Sequence, residues 1–183
     1  MTKQFNLLRY KELLELEKNK KISFLDLELL TYKTSIEYQI CYNHKENYFS
    51  LIGEYFKKKL TGYEFRSRFL KMETQDQKTA YTIKRDFQKL ENFRLADNLK
   101  DFSNLIIQIS TLCLEYDEIW DETIEGMSES EFYSLVNEYF SIYKTISSFP
   151  NNNLSYEKLI YRSFRNLAGI IFLILPTNAL HLR

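Results

Sequence analysis

The chain has little of what breaks or braces a fold. It holds four Gly, two Pro, two Cys, two His and one Trp in 183 residues. So few Gly and Pro argue against an all-β chain, whose many tight turns draw on these residues. Cys41 and Cys113 form no CxxC and are too few for a disulfide framework, which points to a reducing compartment. His44 sits in the polar stretch NHKEN and His181 at the C-terminal end, without HxxxH or Cys/His spacing for a metal. GxSxG, P-loop and GxGxxG motifs are all absent. Carboxylate pairs without a pocket partner are not evidence for acid–base chemistry. The expectation is a non-enzymatic protein with no cofactor and no metal.

Net charge is also missing. Lys and Arg number 25 and Asp and Glu 25, so no global field steers the chain to DNA or membrane. The opening MTKQFNLLRYKELLELEKNK has no signal-peptide apolar core, which predicts a cytoplasmic protein or one inside an organelle such as the plastid stroma. The strongest apolar run, LAGIIFLILP at 167–176, falls short of the roughly 18 residues a spanning helix needs. It reads as a buried element, with no membrane span. The abundance of Lys, Asn, Ile, Leu, Phe and Tyr beside four Ala is the signature of an AT-rich coding genome.

What is present is helical period almost throughout, with no period-2 strand outside the last apolar run. Leu7, Leu8 and Leu14, then Leu25, Leu29, Leu30, Ile36 and Ile40, predict two helices broken near KNKKIS, the second capped by Ser23. After the break at NHKEN, a helix with Tyr48, Leu51, Ile52, Tyr55 and Phe56 on its apolar face ends near Lys59. Two hexapeptides, LTGYEF at 60–65 and MSESEF at 127–132, then share one grammar. Thr61 or Ser128 caps a helix, while Glu64 or Glu131 at the third helical position reaches back. Leu60 with Phe65, and Met127 with Phe132, are the ends of a hydrophobic staple. TQDQ at 74–77 reads as a third box, opening a helix to about Leu95, with ADNLKD as a joint.

From Phe102, apolar residues at 105, 109, 112, 116 and 119 predict a long helix closed by Gly126, and Phe132 to Tyr143 the next. SSFPNNNLS is a loop, followed by a final helix from Ser155 into the apolar tail. The reading is an all-α antiparallel bundle in one domain: a core over 48–143, an N-terminal helical extension over 1–45 and an apolar element over 154–183.

Charge is unevenly placed along this frame. Between Lys100 and Lys144 there is no Lys or Arg, but Asp101, Glu115, Asp117, Glu118, Asp121, Glu122, Glu125, Glu129, Glu131 and Glu138 are present. On a helix, Asp117, Asp121 and Glu125 fall in one row with Glu118 and Glu122 beside it. Such like-charge neighbours cost roughly 1–3 kcal/mol together, and they oppose the helix dipole at its C-terminus. Two readings stand. The carboxylates are solvated or paired with Lys57 to Lys59 or Arg85, or they meet a basic partner. Trp120 inside the patch is a core residue in the first case and an interface centre in the second.

The stretch 54–100 is oppositely biased, with twelve Lys or Arg against seven acids among regularly spaced aromatics. Lys57, Lys58, Lys59, Arg66, Arg68, Lys84 and Arg85 make RNA binding the alternative, although the aromatics fall at core spacing. A structural adaptor whose acidic and basic segments pair is the third reading.

The succession YFSLIGEYFKKKLTGYEFRSRFLKM, the long helix with its acidic end YDEIWDETIEG, and MSESEF resembles the helical immunity proteins of the colicin D type, which protect against a tRNA-cleaving toxin. The resemblance covers 48–143. It implies an antiparallel bundle that plugs the basic active site of a nuclease domain. Asp117, Glu118, Asp121, Glu122 and Glu125 would stand in for RNA phosphates, beside Trp120.

Overall fold

In the computed structural model, residues 2–116 and 127–148 are described. Among them lie seven helices and one small sheet: β1 (Thr2–Gln4), α1 (Leu7–Lys18), α2 (Leu27–Asn43), α3 (Lys45–Phe56), α4 (Gly62–Ile83), α5 (Phe87–Leu90), β2 (Arg94–Ala96), α6 (Leu99–Glu115) and α7 (Glu129–Ser148). The molecule is an all-α bundle whose helix directions follow from its cross-links. Glu37 and His44 of the α2 end meet Lys84 and Asp76 of α4, so these two helices run antiparallel. Arg66 and Glu73 of α4 reach Cys113 and Ser110 of α6 in the same reversed order. Phe102 faces Tyr143 and Tyr116 faces Phe132, which makes α6 and α7 antiparallel too. The N-terminal pair is the exception. Arg9 meets Glu28 and Glu17 meets Lys33, so α1 and α2 point the same way and the turn between them doubles back.

Both capping boxes form. Thr61 Oγ1 accepts from the Glu64 amide at 3.2 Å while the Glu64 carboxylate accepts from the Thr61 amide at 2.9 Å. The equivalent distances at Ser128 and Glu131 are 3.3 and 3.1 Å. Phe65 and Phe132 are fully buried, Leu60 is buried, and Met127 packs on the same core. Each box ties down amides that the first helical turn leaves without partners.

Four expectations are corrected. Asp26, not Ser23, caps α2 through a bond from the Leu29 amide at 3.0 Å; Ser23 instead accepts from Leu25 within the preceding turn. TQDQ opens nothing, because α4 runs unbroken through it. The Thr74 hydroxyl, lying inside the helix, bonds the Leu70 carbonyl at 2.8 Å. That helix stops at Ile83, and the expected stretch to Leu95 holds the short α5 and the strand β2. The strands pair antiparallel with Lys3 opposite Leu95, against the expectation of no strand before the apolar tail. Buried Gln39 fastens β2 to α2 by accepting from the Ala96 amide at 2.7 Å. Finally, α6 ends at Glu115, short of Gly126, with Tyr116 already extended. Gly126, the loop at SSFPNNNLS and the 154–183 element lie outside the described residues.

Two buried clusters result. One, around Leu29, Ile36, Leu90 and Tyr10, joins α1, α2, α5 and the end of α4. The other, around Tyr55, Phe65, Phe102 and Phe132, joins α3, α4, α6 and α7. Helices α2 and α4 supply both, through Ile36 and Cys41 and through Ala80 and Phe69.

Candidate functional site

Tyr116 and Met127, which bracket the acidic stretch in sequence, sit where the ends of three helices meet. Tyr116 breaks α6 with φ −71° and ψ 125°, and its backbone forms a parallel bridge with Met127. Its ring lies flat on Phe132 at 4.5 Å between centroids. The phenol also crosses the start of α4: a Cβ on Gly62 would stand 2.8 Å from the Tyr116 oxygen, so only glycine leaves it room. The Gly62 amide donates to a Glu129 carboxylate oxygen at 2.9 Å, tying α4 to the first turn of α7. Arg66 donates to the carbonyl of Cys113 in the last turn of α6, where unpartnered carbonyls favour a cation. The root of the segment is therefore rigidly framed.

Asp117, Glu118, Trp120, Asp121, Glu122 and Glu125 lie between these anchors and outside the described residues. Helix α6 itself ends at Glu115, and Tyr116 has left the helical conformation. Beneath the root, the buried Tyr55 hydroxyl has no partner among the described residues, and burial pushes its pKa upward, with Glu129 and Tyr116 adding to the rise.

Ion pairing is uneven along the chain. Glu115, Glu129, Glu131 and Glu138 form no ion pair with a described cation, whereas Glu17, Glu28, Glu37 and Glu54 all do. Of the seven cations that suggested RNA, Arg66 serves the Cys113 carbonyl, Arg68 pairs with Glu54 and Lys84 with Glu37. Arg85 stacks on Tyr81 at 4.0 Å, and Lys57, Lys58 and Lys59 have no ion-pair partner among the described residues. The aromatics around them divide. Tyr55, Phe65 and Phe69 are core, while Tyr63, Tyr81 and Phe87 are exposed.

A polar constellation that sequence reasoning missed ties the joint between α2 and α3 to α4. His44 is the single residue between those helices, and its Nδ1 lies 2.7 Å from Oδ1 of buried Asp76. The Tyr48 hydroxyl donates to the other carboxylate oxygen at 2.8 Å. Both oxygens of a buried carboxylate are thus engaged, as burial requires. Desolvation, with Asp76 nearby, pushes the neighbouring Cys41 thiol up to about 12. That is opposite to the shift of an activated nucleophile; the two bonds to Asp76 clamp the α2–α3 joint onto α4. A signal existed. Asp76 stands at an apolar register position, after Phe65 and Phe69 and before Ala80.

A groove of about 510 Å3 runs between α2, β2 and the start of α6, past Thr31, Thr34 and Ser103. Their hydroxyls are bonded to carbonyls of their own helices. Among the described residues no three His, Cys, Asp or Glu converge as metal ligands, and no helix is long and apolar enough to cross a membrane. Compared with known protein families, characterised proteins and solved structures, the chain matches none.

Proposed function

We propose that the chain is a non-enzymatic binding protein whose acidic stretch between α6 and α7 captures a basic protein partner, as an immunity protein occludes a nuclease active site. One observation carries this reading. Between Lys100 and Lys144 there is no Lys or Arg, and the described carboxylates there form no ion pair with a described cation. Lys57 to Lys59 and Arg85 form no ion pair with the described carboxylates of this stretch. Charge of one sign on a framed segment speeds encounter with an opposite surface more than it sets final affinity. The association rate should therefore fall steeply with salt.

The test is inhibition of tRNA cleavage by basic nuclease domains of the source organism. It compares the native chain with Asp117→Lys/Asp121→Lys/Glu122→Lys. Inhibition by the native chain that is lost in the folded variant is expected; no inhibition by either overturns the nuclease reading. The same variant separates an adaptor, in which acidic and basic segments pair. There the reversal destabilises the isolated protein, whereas here its stability holds or rises. An RNA-binding reading draws on exposed Tyr81 under Arg85 and on Lys57 to Lys59. A gel shift at low and moderate salt decides it, since phosphate contacts weaken with salt.

A further inference from the structure

The turn between α1 and α2 presents its apolar residues outward. Phe24 is 68 % exposed, Leu25 60 % and Leu27 80 %, three large side chains within four positions. Leu8, next to Arg9, is 71 % exposed, and Arg9 pairs with Glu28, next to Leu27. Flexibility does not account for this exposure, because the turn is held along its length. The Lys20 amide bonds the Glu17 carbonyl at 3.0 Å and the Lys21 amide the Leu16 carbonyl at 2.8 Å, with Lys20 itself at φ 56°. Ile22 packs on the core beneath, Ser23 accepts from the Leu25 amide, and Asp26 caps α2. Phe24, Leu25 and Leu27 are therefore fixed on the outside.

Charge identifies the occupant. Lys18, Lys20 and Lys21 precede the apolar residues, and no acid occurs from 18 to 25. The carboxylates that flank the turn already have partners: Glu17 has Lys33 at 2.8 Å, Glu28 has Arg9 at 2.6 Å, and Asp26 serves the α2 amides. Glu15 approaches Lys18 only at 3.9 Å, and Lys20 and Lys21 have no ion pair among the described residues. Lysines beside outward Phe and Leu match an anionic lipid surface, which takes rings and aliphatic chains below the headgroups and cations at their level. These residues project from a turn, which suits insertion into a lipid surface.

We propose that the 18–27 turn is a peripheral docking element for anionic membranes, inserting Phe24, Leu25 and Leu27 under a collar of Lys18, Lys20 and Lys21. The test is co-sedimentation of the full chain with phosphatidylcholine vesicles, with and without phosphatidylserine. The native chain is expected to bind the phosphatidylserine vesicles better. Phe24→Ser/Leu27→Ser should weaken partitioning to both by roughly tenfold or more, since two buried apolar side chains are removed. Lys20→Gln/Lys21→Gln should weaken binding to the anionic vesicles alone, by roughly 25-fold for two surface lysines. All four replaced residues are exposed, and circular dichroism checks that the variants fold. The 167–176 apolar run is unchanged in every variant, so a loss reports on the turn. Vesicle binding that is equal in the native chain and in Phe24→Ser/Leu27→Ser overturns the proposal. So does a native chain that stays in the supernatant. If self-association seen by sedimentation velocity then vanishes in the serine variant, the patch is a protein interface instead.

Discussion

The cluster around Leu29 and Ile36 is rimmed by opposite charges, whereas the cluster around Phe102 and Phe132 is closed by ring against ring. In the first, Arg9 grips Glu28 with two nitrogens, Lys33 pairs with Glu17, and Lys84 with Glu37, each across two helices. In the second, Tyr55 stacks on Phe65 and Tyr116 on Phe132, both at 4.5 Å, with Phe65 and Phe132 5.9 Å apart. There the described Glu residues of α6 and α7 serve backbone amides, as Glu129 and Glu131 do, or face solvent. The difference teaches where charge is spent on holding the fold and where it is left over for something else. In α6 and α7 the described carboxylates form no ion pair with a described cation, and two of them hold amides at helix starts instead.

Four experiments would break or sharpen that contrast. The largest effect is expected in the aromatic cluster, where Phe132→Ala should cost about 3–5 kcal/mol in urea unfolding. Leu29→Ala in the other cluster should cost about 2–5 kcal/mol. Because α2 and α4 run through both, each variant should shift one common transition seen by circular dichroism and tyrosine fluorescence. Two separated transitions would make the clusters independent units.

Next comes the clamp between them. Asp76→Ala strands the buried Tyr48 hydroxyl and should cost about 1–3 kcal/mol for that unpaired group alone. Adding Tyr48→Phe to the variant should return part of the loss, and full additivity of the two costs would contradict the coupling. Third, Thr61→Ala and Ser128→Ala should each cost about 1 kcal/mol, since both boxes form. Equal losses would show that the two helix starts matter equally despite their different surroundings.

The smallest effect is electrostatic and tracks pH. The Arg9 guanidinium holds the Glu28 carboxyl below the usual range, and the Thr61 amide does so for Glu64. A carboxylate lowered in the folded state adds stability above its unfolded value of about 4.3 and loses it as pH falls through the folded value. Glu28→Gln and Glu64→Gln should therefore differ from the native chain at neutral pH and converge with it in acid. Salt should shrink the Glu28 difference more, because the Glu64 carboxyl is held first by a backbone amide.

The parts of this fold that were legible are those written within one helical turn. Thr61 with Glu64, and Ser128 with Glu131, need only three residues of spacing to be recognised. TQDQ satisfied the same grammar and failed, because α4 had already formed around it and Asp76 is committed to His44 and Tyr48, far away in sequence. Pairing of Lys3 with Leu95 was illegible for a related reason: three-residue strands leave too short a pattern to show alternation. The end of α6 is set by Tyr116, whose ring is drawn to Phe132 and Gly62. Period alone runs past such a stop. The acidic stretch was proposed from charge alone and lies outside the described residues; the structure describes Tyr116 and Met127 on either side of it.

That frame has a consequence for redesign. Tyr116 and Met127 are held side by side, so the bundle meets whatever lies between them at two neighbouring points. Closing a flexible connection costs only about 0.6 kcal/mol more for each doubling of its length. For a flexible insert between these two points, closure is therefore a small term. Flexible inserts of two lengths placed between the same two residues should differ little in melting temperature, which thermal unfolding followed by circular dichroism checks.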